Sequence, residues 1–332
     1  MAAVLQRVIA ARHAAAAMPR LLTSRAYCRK RAAQGGRATQ ALPDVIHDGP
    51  TIVLPEPPTA HCVTKGRSDT ALRAAVMDHR DLVVEQFTKQ AIPFSTAPGI
   101  QDRDALALLV AATRAGADDT VLDVACGPGL VVCAFAAVVR HATGIDLTPA
   151  MIERARALAA EQGVRNASWQ VGDVLPLPFA DASFSVVVSR FAFHHFPNVD
   201  GVLAEMTRVC RPGGTVAVVD VMASEDPAKA DAFNRMERLR DPSHVRALTQ
   251  AEIEALFPRA GLPAPELSFY RLESELEGLL ERSFPDPADV AKIRRLFEDS
   301  LASDGLGLGT RRAGERIRFA YPTAIAVSSR RR

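Results

Sequence analysis

Short apolar runs alternate with segments of helical periodicity from residue 120 to about residue 240. Each run is rich in Val and is followed by a stretch whose apolar residues recur at helical spacing, as in strands joined by crossover helices. This alternation predicts an α/β fold with a doubly wound, mostly parallel sheet. The predicted strands are 120–125, 142–146, 166–171, 184–189, 215–221, 267–272 and 316–327.

The last two predicted strands are separated by two helical segments, 273–282 and 288–301. We therefore expect the seven-stranded sheet to end in an antiparallel C-terminal edge strand. On the N-terminal side, an apolar linker containing Pro and Gly, 92–100, separates two predicted helices. Residues 77–332 are expected to form a single domain.

The basic residues are concentrated before that domain. Residues 1–76 carry 11 Lys and Arg against 4 Asp and Glu, whereas the remainder carries 29 against 34. Residues 1–42 are rich in Ala, contain Arg and lack acids, which is typical of a mitochondrial transit peptide. We favour a disordered or merely targeting-like extension and a cytoplasmic protein. The alternative is a mitochondrial protein, if residues 1–42 act as a transit peptide.

Composition argues against several kinds of site and partner. The five cysteines include no C-x-x-C pair and no matching His spacing, so no metal site is expected. No apolar run reaches the roughly 18 residues of a membrane span, so no stable membrane insertion is expected. Beyond residue 76 no basic patch laced with aromatic residues appears, so nucleic acid is not an expected partner.

A glycine turn follows the first predicted strand, in the stretch VLDVACGPG at 121–129. A buried strand, a tight turn and a helix start bring backbone close to a ligand in α/β proteins. A dinucleotide fingerprint requires G-x-G-x-x-G. Gly127 and Gly129 are present, but Val132 occupies the third position. An NAD-dependent oxidoreductase is therefore the alternative rather than the first hypothesis.

Three acids lie at or near strand ends, where open α/β sheets bind their ligands. Asp123 is inside the first strand, Asp146 ends the second, and Asp173 follows the third. Asp146 lies 19 residues after Gly127, close to the spacing at which an acid accepts hydrogen bonds from ribose hydroxyls. Three carboxylates suit a nucleoside with positive charge better than a pyrophosphate.

The chain resembles the class I S-adenosylmethionine-dependent methyltransferases, in the small-molecule, type 11-like branch. Four motifs carry the resemblance in the family's order: VLDVACGPG, GIDLTPAMI at 144–152, GDVLPLPFADASFSVVVSRFAFHHF at 172–196 and RVCRPGG at 208–214. The resemblance implies a Rossmann-like fold with a cofactor-binding core at about 117–222. Substrate-side helices and the last strands would then occupy about 223–328.

The resemblance also implies residue roles. Asp123 would face the cofactor's ammonium group, Asp146 would take the ribose hydroxyls, and Asp173 would contact the adenine amino group. The Val174 amide and Leu147 would pack around the base, and Arg190 would contact the methionine end through its backbone. The implied cofactor-binding residues are Asp123, Ala125, Gly127, Gly129, Asp146, Leu147, Asp173, Val174 and Arg190.

Two histidines after the fourth strand, His194 and His195, are the candidates for a general base. The sequence does not distinguish between them, and packing or capping of the following turn is an equally good explanation. The function hypothesis is methyl transfer to a small-molecule acceptor, with S-adenosyl-L-methionine as cofactor and no metal. The alternatives are the NAD-dependent oxidoreductase and a non-catalytic module that retains the cofactor fold.

Overall fold

One eight-stranded sheet organises residues 78–332, the part of the chain that the computed structural model describes. Its order is β3-β2-β1-β4-β5-β8-β6, and the short β7 pairs with β8 beside this path. Strands β1 to β5 are parallel, whereas β8 is antiparallel to both β5 and β6. The strands are β1 Thr120–Val124, β2 His141–Asp146, β3 Ala167–Val171, β4 Phe184–Arg190, β5 Cys210–Val221, β6 Glu266–Glu275, β7 Arg311–Ala313 and β8 Arg316–Ser329.

Helices connect these strands, and a single 3-10 turn, Phe193–His195, follows β4. No helix in this described range combines the length and apolar content needed to cross a membrane. The helices are α1 His79–Thr96, α2 Arg103–Thr113, α3 Leu130–Ala136, α4 Pro149–Glu161, α5 Val199–Val209, α6 Pro227–Arg240, α7 Gln250–Arg259, α8 Leu276–Ser283 and α9 Pro287–Ser303.

The predicted architecture is confirmed, with corrections in detail. The last strand, β8, lies between β5 and β6, so that β6 and β8 form an antiparallel pair at the sheet's edge. The β7 hairpin strand was not predicted. Helix α1 continues through Pro93, where a linker was expected, since buried Gln90, Ala91 and Ser95 hold its last turns against the protein. The predicted extension at 1–76 lies outside the described residues.

Strand β4 lies at the centre of the core, and all seven of its residues are buried. Its side chains alternate between the two faces of the sheet: Val186 and Val188 pack into one apolar cluster and Val187 into the other. Burial of each such side chain contributes about 1.5–3 kcal/mol. The order of the strands reverses between β1 and β4, and a ligand crevice is expected at the carboxyl ends there.

Gly129 begins α3 with a φ of 83°, and a Cβ there would lie 2.5 Å from the Trp169 ring and 2.8 Å from Ala155. We expect Gly129→Ala to lower the free energy of unfolding by about 2–4 kcal/mol, from left-handed strain plus overpacking. Gly163 is the matched control, because its φ is also positive, at 69°, and nothing lies within 4 Å of its added Cβ. Gly163→Ala should lower the free energy of unfolding by only about 1 kcal/mol, as measured by urea denaturation. If the two variants lost equal free energy of unfolding, overpacking against the Trp169 ring would not be the cause.

Candidate functional site

A cavity of about 320 Å³ opens at the carboxyl ends of β1, β2 and β4. Two residues that directly follow strands at this cavity have positive φ without being glycine, Ala125 at 57° and Phe191 at 58°. Strained backbone of this kind concentrates at ligand sites. All but one of the predicted cofactor residues line the cavity: Asp123, Ala125, Gly127, Asp146, Leu147, Asp173, Val174 and Arg190.

Gly129 is the predicted residue that does not line the cavity. It packs instead against Trp169, which also contacts the backbone at Gly144. Its absent side chain therefore allows close packing between helix and sheet.

Asp146 is held rigidly at the end of β2. Its Oδ2 accepts the Gly127 N–H at 2.8 Å, and its Oδ1 accepts the Thr148 N–H at 2.9 Å. Burial raises the pKa of Asp146, although both backbone hydrogen bonds oppose that rise. The carboxylate thus fixes the glycine turn of β1 against the end of β2 and keeps further lone pairs for a ligand.

Asp123 and Arg190 face the same cavity with unsatisfied polar atoms. Both carboxylate oxygens of Asp123 are buried without a hydrogen-bond partner in the described part of the chain. Burial and the nearby charge of Asp146 raise the pKa of Asp123, whereas Arg190 lowers it. Arg190 lies 4.3 Å above the Phe191 ring and donates from Nη1 to the Ile100 carbonyl. Its buried Nη2 makes no hydrogen bond of normal geometry between residues 78 and 332.

The orphaned Asp123 carboxyl has a measurable cost in the free protein. Its folded-state pKa is raised, so the native state retains a proton that the unfolded chain releases, and stability falls as pH rises above the ordinary carboxyl value. We expect Asp123→Asn to raise the free energy of unfolding at pH 7.5 by about 1 kcal/mol and to remove this pH dependence. Urea denaturation at pH 5 and pH 7.5 measures both effects.

If Asp123 faces the cofactor's ammonium group, as the sequence resemblance implies, the same Asp123→Asn variant should bind S-adenosylhomocysteine about tenfold or more weakly, since a charged hydrogen bond would be lost. Asp119→Asn is the opposite control. Asp119 accepts the Gly116 N–H at 2.8 Å and contacts Arg211 at 3.4 Å, so its substitution should reduce stability and spare binding. If Asp123→Asn instead lowered the free energy of unfolding, the Asp123 carboxyl would have a stabilising partner in the free protein.

Asp173 has partners of its own at the outer side of the cavity. Its Oδ1 accepts the N–H groups of Val174 at 2.6 Å and Leu175 at 3.2 Å, and its Oδ2 contacts Arg80 of α1 at 3.0 Å. The Val174 amide, predicted to pack around the base, is therefore bonded to Asp173 itself. Helix α1 lies over this side of the cavity, held in part by the Arg80–Asp173 ion pair.

A second cavity of about 110 Å³ adjoins the first. We call it the second cavity. Its walls include apolar side chains from α1, β6 and α8, and a polar end formed by α6, α8 and β8. The residues that line both cavities are Phe87, Phe94, Ile100, Phe191 and His195.

His195 lies at the boundary between the two cavities, and its tautomer follows from its partners. The Ser243 hydroxyl donates to Asp241 Oδ1 at 2.5 Å, so it can only accept from His195 Nδ1, which lies 3.1 Å away. The Ser243 carbonyl, 3.0 Å from the same nitrogen, also requires a donor. The proton is therefore on Nδ1, and Nε2 carries a lone pair. Burial, followed by the charge of His194, lowers the pKa of His195 to about 4.

His194 lines the second cavity but not the first. Its Nδ1 lies 2.6 Å from Asp220 Oδ1, and its backbone N–H donates to Asp220 Oδ2 at 2.9 Å. Burial alone lowers the pKa of His194, but the charge and hydrogen bond of Asp220 outweigh it, so the net pKa is raised. The two predicted histidines are thus neighbours with opposite pKa shifts.

The sequence did not single out most of the groups around these histidines. Asp220 had a usable signal, because it is an acid near the carboxyl end of a predicted parallel strand. The RLRDPSHVR stretch at 238–246, rich in charge and His directly after a helix, was a weaker signal. The residues that went unnoticed are Asp220, Glu237, Arg240, Asp241, Ser243, Arg282 and Tyr321.

Comparison with known proteins decides the family. A family model described as a methyltransferase domain matches residues 122–218. The YcgJ protein of Bacillus subtilis, described as an uncharacterized methyltransferase, is 34% identical over 206 residues, which cover 62% of this chain and 81% of the relative. The chain belongs to the S-adenosylmethionine-dependent methyltransferases.

The crystal structure of the B. subtilis protein matches this methyltransferase with a TM-score of 0.64 and 29% identity, over 69% of this chain and 99% of that one. A probable chloroplastic tocopherol O-methyltransferase of Oryza sativa is 30% identical over 190 residues, 54% of this chain and 48% of its own length. Between residues 78 and 332, no group of three or more His, Cys, Asp or Glu side chains is placed to hold a metal ion.

Proposed function

We propose that the protein transfers a methyl group from S-adenosylmethionine to a small-molecule acceptor bound in the second cavity, which we call the acceptor cavity. The observation that carries the proposal is that the two carboxyl oxygens of Asp123 and the Nη2 of Arg190 are buried without hydrogen bonds to the described residues, in one cavity with Asp146. An amino-acid zwitterion complements such a pair, because its ammonium and carboxylate satisfy both at once. The tocopherol enzyme, a relative with a small-molecule acceptor in its name, supports this class of acceptor.

The residues of this chain would hold each part of that cofactor. Asp123 would receive the ammonium group, and the Arg190 side chain the carboxylate. The free lone pairs of Asp146 would accept the ribose hydroxyls. Leu147, Asp173 and Val174 would surround the adenine at the outer end of the cavity. These assignments extend the sequence prediction for Arg190, which placed the contact on its backbone.

His195 is the proposed proton acceptor, because it lies where the two cavities meet. The cofactor supplies a methyl group on a sulfonium, activated for in-line displacement, so alignment and exclusion of water are most of what the protein must add. The neutral Nε2 would accept a hydrogen bond from the acceptor's X–H group and take its proton as transfer proceeds. Asp241, acting through Ser243, keeps the Nδ1 proton in place and the ring oriented.

Calorimetry with S-adenosylhomocysteine and with NAD tests the cofactor assignment. We expect micromolar-range binding of the first and no heat from the second. Binding of NAD alone would favour the oxidoreductase alternative and overturn the proposal.

Incubation with methyl-labelled S-adenosylmethionine and a metabolite extract tests catalysis. Label should appear in a small organic product, and His195→Phe should slow its appearance by about 10²- to 10⁴-fold. A chain that binds S-adenosylhomocysteine but labels nothing across the extract would instead match the non-catalytic module.

A further inference from the structure

The charged side chains at the polar end of the acceptor cavity differ in whether they have ion-pair partners within the protein. Most of its charged groups pair with one another inside the protein. Glu237 holds Arg240 at 2.5 Å and accepts the Tyr321 hydroxyl at 2.9 Å. Asp241 accepts from Ser243 and from Gln90. These groups form a closed network with little capacity for a further charged ligand.

Glu273, at the mouth of the cavity, is also paired, since its Oε2 contacts Arg311 at 2.7 Å. Arg282, near the C-terminal end of α8, is the exception. It is half-buried and lines the cavity, yet no hydrogen bond or ion pair joins it to any residue between 78 and 332. Glu275 is close by in sequence, but its two oxygens cap the start of α8 by accepting the N–H groups of Glu277 and Gly278.

The Arg282 side chain has no close ion pair within residues 78–332, and its half-buried position lowers the pKa of its guanidinium, although the charges of Tyr321, Glu275 and Glu281 oppose that shift. Its planar fork of N–H donors matches the two oxygens of a carboxylate or phosphate. Much of the remaining lining is apolar and includes Phe87, Phe94 and Leu272. The cavity therefore combines an apolar body with one cationic donor that has no close ion pair in the described part of the chain.

We infer that the methyl acceptor is an amphipathic anion: an aromatic or branched hydrocarbon body that carries an anionic oxygen group bound by Arg282. This inference rests on the proposed function and deepens it, because it fixes how the acceptor is oriented. The anionic group lies at the α8 end of the acceptor cavity, and the methyl-accepting atom lies at the His195 end, next to the cofactor.

The test compares acids with their uncharged amides in the protein saturated with S-adenosylhomocysteine. The probes are 4-hydroxycinnamate, indole-3-acetate and geranate, each paired with its amide, and phenyl phosphate represents the phosphate source. We expect at least one acid to bind about tenfold or more tightly than its amide in calorimetry. Arg282→Gln should abolish that preference. Tighter binding of phenyl phosphate than of every carboxylate would assign the anion to a phosphate.

Two controls separate this inference from the proposed function. Arg295→Gln replaces an exposed arginine on the neighbouring helix α9 and should leave the acid preference unchanged. Arg282→Gln should bind S-adenosylhomocysteine as the wild type does, which verifies its fold. If the wild type did not bind S-adenosylhomocysteine, the proposed function would be overturned. Normal cofactor binding, with no acid preferred over its amide or with a preference that survives Arg282→Gln, would overturn the inference alone.

Discussion

Asp146→Ala is expected to weaken binding of S-adenosylhomocysteine by roughly 10- to 150-fold in calorimetric titration. The loss corresponds to a charged hydrogen bond of about 1.5–3 kcal/mol. The carboxylate has two tasks, because the oxygens proposed to accept the ribose hydroxyls also accept the N–H groups of Gly127 and Thr148. Its removal therefore breaks the hydrogen bonds that hold the glycine turn as well as those proposed to the ribose.

A ligand lacking both ribose hydroxyls, 2′,3′-dideoxy-S-adenosylhomocysteine, separates these two effects. The wild type should prefer the complete ligand, whereas Asp146→Ala should bind both ligands equally. Asp181→Ala, which removes an exposed acid, should change neither affinity. If Asp146→Ala stayed within about threefold of the wild type, the ribose assignment would be wrong.

His195→Phe is expected to lower kcat by about 10²- to 10⁴-fold, the usual contribution of a positioned proton acceptor. Affinity for S-adenosylhomocysteine should stay within about threefold, since the ring of Phe fills a similar space at the cavity boundary. The acceptor found by methyl labelling serves as the substrate. His141→Phe is the matched control, because His141 is at the start of β2 and its side chain bonds only to Ser168 among the residues the structure describes.

The pH profile distinguishes His195 from His194. The pKa of His195 is about 4, so its Nε2 remains an acceptor at any higher pH. The wild-type kcat/KM should therefore stay level as the pH falls from about 8 to about 6, across the range where an ordinary histidine gains its proton. The pKa of His194 is raised, so a His194 base would be protonated already near neutral pH. A rate that falls with a midpoint at or above about 6.5 would assign the proton transfer to His194.

The lining of the first cavity was largely predictable from the sequence, because its three acids lie in or just after consecutive strands. Asp123 and Asp146 could be located from the glycine turn and their spacing to it. Gly129 shows the limit of that reasoning. A positive φ and a close approach to Trp169 require glycine as firmly as contact with a ligand does, and one sequence does not distinguish the two causes.

The lining of the acceptor cavity was not predictable in the same way. Its lining comes from α1, α6, β6, α8 and β8, which tertiary packing brings together from distant parts of the chain. Arg282 has the sequence context of a solvent-exposed helical residue, and only the packed structure shows that it lines the cavity. Helix α1 was predicted to end before Pro93, because the contacts that stabilise its last turns lie outside its own segment.

Helix α1 has a thermodynamic consequence for the two ligands. Phe87 and Phe94 line both cavities, Arg80 pairs with Asp173 beside the first, and Gln90 bonds to Asp241 beside the second. We expect the two ligands to share the free energy of fixing this helix, so that the ligand that binds first lowers the cost for the next. By linkage, S-adenosylhomocysteine and the acceptor would then strengthen each other's binding by the same factor. Substitutions at residues of α1 that touch neither ligand would change that factor.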